Sequence, residues 1–168
     1  MKLWPGWLVV LAAACGSGTR AAPDPTTANL IEANATVVRV IDGDTIDASI
    51  HGTTERVRLI GVDTPETKKP NTPVQCYGPE ASDFTKHTLP VGTAVLIVRD
   101  VEAREVYGRM LGYVYRSTDG LFVNLELAVE GFARPLTIRP NDAHVTEFVG
   151  AARAAEAADV GLWGACSG

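Results

Sequence analysis

The 168-residue sequence has only three cysteines and three histidines, and they are dispersed along the chain. Zinc sites are built from clustered Cys and His ligands, so the sequence offers no zinc-binding pattern. Internal repeats are also absent, which excludes a solenoid or a propeller. A small single domain with extensions is therefore predicted.

An excess of positive charge is missing as well. Fifteen Lys and Arg stand against 20 Asp and Glu, which gives a formal net charge of −5. Proteins that coat nucleic acid neutralise many phosphates with basic side chains, and this composition argues against that class. An enzyme is not excluded, because a site for one phosphate needs only local positive charge.

The apolar run near the N-terminus, residues 8–14, is too short to span a bilayer, which takes about 20 residues. It follows the basic Lys2 and leads into small residues, a pattern typical of a secretory signal. We therefore predict a signal peptide at residues 1–15 and a bacterial protein that is extracellular or attached to the cell envelope.

The signal ends at Cys15, which three alanines precede. This arrangement resembles a bacterial lipoprotein signal, in which the cysteine carries a lipid anchor. Ordinary cleavage after Ala21 or Ala22 is the alternative. Residues 16–34 are rich in Gly, Ser, Thr, Ala and Pro and predict a flexible linker, so that the folded domain spans residues 35–168.

The patterns after residue 35 alternate between strand and helix signals. Apolar alternation and β-branched residues predict five strands, at 36–41, 45–50, 56–62, 94–98 and 110–115. Helices are predicted from 78 to Pro90, over 124–130, and from about 141 to Gly161. This order predicts a mainly β fold with helices (α+β), namely a five-stranded OB-type barrel with three packed helices.

Three short segments carry the candidate chemistry. Each has a plain structural reading by itself: a hairpin turn, a strand exit and a solvated arginine. As an ordered set they resemble the staphylococcal nuclease (thermonuclease) family, and the resemblance extends from about residue 36 to Trp163. The segments are Ile41-Asp42-Gly43-Asp44-Thr45, Arg58 through Thr67, and Tyr107-Gly108-Arg109, with further matches at 77–81, 123–124 and 139–141.

The resemblance implies a Ca²⁺-dependent endonuclease and exonuclease that hydrolyses phosphodiester bonds of DNA and RNA and leaves 3′-phosphate ends. It also implies a role for each matching residue. Ca²⁺ would be bound by the carboxylates of Asp44 and Asp63 and the carbonyl of Thr64; Glu66 would be the general base, Arg58 and Arg109 would clamp the phosphate, and Tyr107 would lie beside it.

Elementary chemistry supports these residue roles, but the spacing of Arg58 and Asp63 raises a question of geometry. Ca²⁺ prefers oxygen ligands, and with the ion bound the predicted site carries a net charge of about +1, which suits a phosphodiester. However, Arg58 lies five residues before Asp63, and in a flat strand an odd spacing places two side chains on opposite faces. A bend at Gly61 would realign them.

The sequence departs from the family pattern at three positions around the nucleotide. Val106 stands where the family often has lysine, and Leu136 and Ile138 stand where the best-known member has tyrosines. Stacking of a base on an aromatic ring contributes about 1–3 kcal/mol, so these changes predict weaker substrate binding and leave the chemical step intact.

Two other classes of protein compete with the enzyme. One is a non-catalytic OB-fold lipoprotein that binds nucleic acid or protein, and the other is a lipoprotein that carries a small ligand. Relatives that only bind have lost the acids and arginines, whereas here Asp44, Arg58, Asp63, Glu66 and Arg109 are all present. The sequence therefore favours the enzyme, which we expect to be a monomer.

The two remaining cysteines, Cys76 and Cys166, lie before the first predicted helix and after the last. Exported proteins meet an oxidising compartment in which cysteines pair. We therefore predict a Cys76–Cys166 disulfide; two free thiols in separate segments are the alternative.

Overall fold

The computed structural model describes residue 1, residues 31–68 and residues 70–166. Most of the predicted signal and linker lies outside the described residues, and so does the predicted lipidation site Cys15. Within the described ranges, no helix is both long enough and apolar enough to cross a membrane.

The described residues form seven strands and four helices. The strands are β1 (Ala35–Asp42), β2 (Thr45–Ile50), β3 (Thr53–Leu59), β4 (Gly61–Asp63), β5 (Ala94–Val98), β6 (Met110–Arg116) and β7 (Arg134–Leu136). The helices are α1 (Gly78–Thr88), α2 (Val123–Val129), α3 (Val145–Ala157) and α4 (Leu162–Ala165).

Five strands close into a barrel in the order β1-β2-β3-β6-β5. Neighbouring strands are antiparallel except β3 and β6, which pair in parallel. The barrel is filled by fully buried aliphatic side chains, among them Ile46, Val57, Leu59, Val95 and Leu111. The predicted α+β fold with a five-stranded OB-type barrel is confirmed; β7 and the short α4 were not predicted.

The predicted third strand, residues 56–62, is interrupted at Ile60. Gly61 has a φ of +87°, which L-residues other than glycine rarely adopt, and the chain turns out of the barrel there. The backbone groups of Ile60 keep partners, because its N–H donates to the carbonyl of Gly112 (3.2 Å) and its carbonyl accepts from Asn124 Nδ2 (2.8 Å). β4 then pairs with β7 in a separate two-stranded sheet.

The last large helix begins at Val145 rather than near Asn141. Asn141 is buried and its side chain exchanges two hydrogen bonds with the backbone of Glu102, at 2.7 and 3.0 Å. Its side chain therefore fixes a neighbouring loop instead of beginning a helix. The buried face of α3 carries Phe148, Ala152 and Ala155, and the ring of Phe148 lies against Gly61.

Residues 31–34, which were assigned to the linker, contact the barrel. The N–H of Ile31 donates to the carbonyl of Ser117 (3.1 Å), and the side chain of Asn34 exchanges hydrogen bonds of 2.8 and 2.9 Å with the backbone of Ile97. Ordered chain therefore precedes the first barrel strand.

Cys76 and Cys166 are joined by a disulfide, with their Cα atoms 5.9 Å apart and 90 residues between them in sequence. The bond connects the loop of residues 64–77 with the end of α4. The pair is the one that the sequence predicted.

Replacing Gly61 with alanine is expected to lower the free energy of unfolding by at least about 2 kcal/mol. The new methyl group would overlap the Phe148 ring, and L-residues resist a positive φ. Gly52→Ala is the matched control, because Gly52 has a φ of +81° but no atom within 4 Å of the added carbon, which leaves only a backbone cost of about 1 kcal/mol. Urea denaturation measures both; equal losses would contradict the packing argument.

Candidate active site

A cleft of about 600 Å³ opens at one end of the barrel. The turn between β1 and β2, the end of β3, the loop of residues 64–77 and the segment before β6 form its walls. Six of the predicted site residues line it: Asp44, Arg58, Asp63, Thr64, Glu66 and Arg109. Tyr107 is not among them; it is 83% exposed and borders a neighbouring depression with Arg56 and Arg109.

Asp44 is buried at the two-residue turn between β1 and β2. Its Oδ2 accepts hydrogen bonds from the N–H of Thr64 (2.9 Å) and from Thr64 Oγ1 (3.0 Å), and its Oδ1 accepts from Thr45 Oγ1 (3.0 Å). Asp42-Gly43-Asp44 is therefore a hairpin turn and also a site element, because the turn places Asp44 against Thr64.

Arg58 lies between the two aspartates. Its Nη2 is 2.9 Å from Asp63 Oδ1 and 3.2 Å from Asp44 Oδ2, and its Nη1 donates to the carbonyls of Leu59 and Val62. The residue is only 5% exposed. The turn at Gly61 thus realigns Arg58 and Asp63, as the sequence analysis required, and fixes the guanidinium in one orientation.

Asp63 stands among like charges. The side chain of Asp63 is 57% exposed, but the surrounding protein still removes part of its hydration, and this raises the pKa of the carboxyl group above the usual value of 3.8. The charge of Arg58 opposes the rise, whereas the charges of Asp44 and Glu66 add to it. Neighbouring negative charges that raise the pKa of a carboxyl group favour its neutralisation by a proton or by a cation.

Glu66 is half-buried and held at its backbone and its side chain. Its N–H donates to Gln75 Oε1 (2.9 Å), its carbonyl accepts from the N–H of Gln75 (2.9 Å), and its Oε1 accepts from the N–H of Lys68 (2.7 Å). The pairing with Gln75 therefore joins the two ends of the loop beside Glu66.

Asp42 is a site residue that the sequence analysis treated only as part of a turn. Its carboxylate accepts hydrogen bonds from Thr67 Oγ1 (2.7 Å) and from the N–H of Gly43 (2.9 Å). Burial raises the pKa of Asp42 and a hydrogen bond with Glu66 raises it further, while the bond from Thr67 lowers it. Asp42 therefore links the β1–β2 turn to the loop that carries Glu66.

Arg109 is already paired in this structure. Its guanidinium forms a two-pronged ion pair with Glu105, through Nε to Oε1 and through Nη2 to Oε2 (3.0 Å). The hydrogen bonds that Arg109 donates to Glu105 raise the pKa of Arg109. Glu105 was not predicted as a partner of Arg109, because a spacing of four residues indicates a contact only in a helix and this segment is not helical.

Other residues singled out from the sequence surround the cleft. Leu136 and Ile138 line it, so apolar aliphatic side chains stand where tyrosines were noted in the family's best-known member. Val106 is 93% exposed beside Tyr107.

The described lining includes five carboxylates and four basic groups, a formal charge of −1. No group of three or more His, Cys, Asp or Glu side chains among the described residues is placed to hold a metal by itself. A cation at Asp44 and Asp63 would need further ligands from backbone carbonyls and water. Such a mixed set of hard oxygen ligands fits Ca²⁺.

Comparisons with known proteins identify a protein family and several nucleases that are similar to this chain. A family model described as "Staphylococcal nuclease homologue" matches residues 56–165. The thermonuclease of Staphylococcus intermedius is 49% identical over 127 residues, which cover 76% of this chain and 74% of that protein. The thermonuclease of Staphylococcus hyicus is 44% identical over 135 residues, 80% of this chain and 78% of that protein.

A relative from another genus shares a smaller part of its length. Endonuclease YncB of Bacillus subtilis (strain 168) is 43% identical over 116 residues, which cover 68% of this chain and 54% of that protein. The family match covers the barrel strands β5 and β6, most of β3, the 64–77 loop and the helices. The chain therefore belongs to the staphylococcal nuclease family and is a hydrolase of the nuclease type.

Proposed function

We propose that the protein is a Ca²⁺-dependent nuclease that cleaves phosphodiester bonds of DNA and RNA, internally and from ends, and leaves 3′-phosphates. The observation that carries the proposal is the convergence of two arginines and three acids in one cleft: Arg58, Arg109, Asp44, Asp63 and Glu66. A non-catalytic binding module would not need this combination.

The carboxylates of Asp44 and Asp63 and the carbonyl of Thr64 are the groups that would hold Ca²⁺. The bound ion would supply positive charge that offsets the carboxylates and the substrate phosphate. Asp44 is fixed by Thr64 and Arg58, so its oxygens keep their place before any ion arrives.

Glu66 would accept the proton of a water molecule that attacks phosphorus in line with the 5′-oxygen. The new bond joins the water oxygen to phosphorus, and the bond from phosphorus to the 5′-oxygen breaks, so that the phosphate remains on the 3′-oxygen and the 5′-oxygen takes a proton from the medium. Arg58 and Arg109 would donate hydrogen bonds to the phosphate oxygens as negative charge develops on them.

Arg109 would have to exchange its partner to act on substrate. Its two-pronged pair with Glu105 occupies the fork that a phosphate would use. Because the side chain of Arg109 is 31% exposed, it has room to turn from Glu105 toward a phosphate. Arg58 is paired as well, and its Nη2 would be released for a phosphate only if a cation took over the carboxylates of Asp44 and Asp63. The two arginines would therefore be released in different ways, Arg109 by turning and Arg58 by transfer of its carboxylate partners to the cation.

We also propose that the protein is exported and acts as a monomer, with a signal at residues 1–15 and lipidation at Cys15. The Cys76–Cys166 disulfide supports export, because disulfides persist in oxidising compartments.

Glu66→Gln is expected to lower kcat by at least about a hundredfold, since the amide cannot accept the proton of the attacking water. The fold should persist, because the contacts at the backbone of Glu66 remain. Initial rates on a single-stranded oligonucleotide with Ca²⁺ measure the change, with the exposed Glu130→Gln as control. Near-normal kcat in the folded variant would contradict the assignment.

Asp63→Asn is expected to weaken Ca²⁺ binding at least about tenfold, because a charged ligand is lost. Since the pKa of Asp63 is raised, the metal-free protein loses stability as the pH rises from 3.8 through the raised value. The asparagine removes that loss, so the metal-free unfolding temperature at pH 7 should not fall.

Calorimetric titration with Ca²⁺ and thermal unfolding in EDTA measure these two effects. The exposed Asp83→Asn serves as control. Unchanged Ca²⁺ affinity in Asp63→Asn would show that this carboxylate is not a ligand.

Arg109→Lys is expected to lower kcat/KM about a hundredfold, because an ammonium group cannot reproduce the planar fork on phosphate oxygens. Steady-state kinetics measure the effect, and Arg153→Lys on the exposed face of α3 is the control. Wild-type kinetics in Arg109→Lys would mean that Arg109 is only a partner of Glu105.

A further inference from the structure

The proposed general base lies on a segment without regular structure. The loop of residues 64–77 contains no strand or helix among its described residues, and Glu66 lies near its start. A catalytic group must be held close to its productive position, since a displacement of about 1 Å can cost a hundredfold in rate. Something other than secondary structure must therefore fix Glu66.

Gln75 is the residue that closes this loop against Glu66. Its side-chain Oε1 accepts from the N–H of Glu66, and its own N–H donates to the carbonyl of Glu66, both at 2.9 Å. Two hydrogen bonds thus join positions nine residues apart at the neck of the loop. Gln75 is exposed, and hydrogen bonds that water can replace contribute little net stability, so the pair needs support.

The support comes from the residues that follow Gln75. Cys76 is bonded to Cys166. The N–H of Cys166 donates to the carbonyl of Leu162 (3.0 Å), and Leu162 is 1% exposed and donates through its own N–H to Gly131 (2.8 Å). The disulfide therefore connects the neck of the loop, through Cys76, to a helix end that is packed against the rest of the fold.

We propose that Gln75 is a positioning residue for Glu66 and that the Cys76–Cys166 disulfide, by anchoring Gln75 to α4, keeps the active-site loop in its productive form. The proposal rests on the proposed nuclease function, because it assigns Gln75 a role through Glu66. It also makes the activity sensitive to thiols: Cys76 is exposed, so a reductant can reach the bond.

The role predicts a selective kinetic effect. Asp44 holds Thr64 from the barrel, and Arg58 is fixed by β3 and β4, so neither depends on the neck of the loop. Loss of the neck should therefore lower kcat while KM and the Ca²⁺ affinity stay within about twofold. A general loss of structure would change all three.

The test uses the full chain and a single-stranded oligonucleotide with Ca²⁺. Gln75→Ala is expected to lower kcat about ten- to a hundredfold, and Gln75→Glu, which keeps an acceptor oxygen at the same reach, should recover most of the loss. Cys76→Ser with Cys166→Ser should lower kcat to a similar extent, and so should dithiothreitol on the wild type, whereas dithiothreitol should not change the rate of the serine variant.

Combining Gln75→Ala with the two serine substitutions tests whether the disulfide acts through Gln75. If the disulfide acts through Gln75, adding Gln75→Ala to the two serine substitutions should lower kcat by less than about threefold more. Independent multiplication of the two losses would overturn the link. Should the serine variant not fold, Gln75→Ala and its recovery by Gln75→Glu still decide the role of Gln75.

The outcomes separate the two proposals. An oxidised wild-type protein without Ca²⁺-dependent cleavage would overturn the proposed function and this inference together. An active wild type whose kcat is unchanged in Gln75→Ala would overturn only the inference. A fall in kcat that is accompanied by an equal loss of Ca²⁺ affinity would also overturn it, since the effect would then not run through Glu66.

Discussion

The turn of the chain at Ile60 and Gly61 is the constraint on which the cleft depends. In a continuous strand, Arg58 and Asp63 would project from opposite faces; with the chain redirected at Gly61, Arg58 Nη2 lies 2.9 Å from Asp63 Oδ1. The redirection releases backbone groups of Ile60 from the strand, and Asn124 binds the freed carbonyl. Barrel closure, helix docking and site geometry therefore depend on the same few atoms.

The position of Arg58 follows from this turn and explains its chemical value. Burying a guanidinium is costly unless its donors are paired, and here it pairs with Asp44, Asp63 and two backbone carbonyls. The cation consequently stays in one orientation before substrate binds. The Nη2 of Arg58 would become a donor to a phosphate only after a bound metal cation has taken over the carboxylates that it now binds.

Local patterns predicted the features that local interactions determine. The strands β1, β2, β5 and β6 and the helix α1 follow alternation, β-branching and a proline at the helix start, and their limits were nearly correct. β4 was predicted only as the end of the third strand, and β7 was missed, because each has three residues and exists only through pairing with the other, across some 70 residues of chain. Asn141 was predicted to begin a helix because a polar residue in front of a run of apolar residues at helical spacing is typical of a helix start. In the structure its buried side-chain amide instead forms hydrogen bonds with the backbone of Glu102.

The site residues divide in the same way, into those that short sequence motifs predict and those whose roles depend on contacts made after folding. The motif residues Asp44, Arg58, Asp63 and Glu66 were visible because short segments carry them in a fixed order, and the cleft brings them together. Gln75 and Glu105 were not visible, because their parts depend on which backbone group or guanidinium a side chain reaches after folding. Asp42 lay inside a recognised motif and was still read as a turn.

The ion pairs that the arginines form affect how strongly this acidic protein attracts a negatively charged nucleic acid. Around the cleft, Arg39 and Arg56 share Asp47, Arg104 pairs with Glu55, and Arg109 pairs with Glu105. Paired charges produce little field beyond a Debye length of about 8–10 Å, so these four arginines offer little long-range attraction to phosphates. If Arg109 binds the substrate phosphate as proposed, the phosphate has to displace Glu105 from it. Because Leu136 and Ile138 provide no aromatic ring for a base, that exchange would carry a larger share of substrate binding here than in a cleft lined by tyrosines.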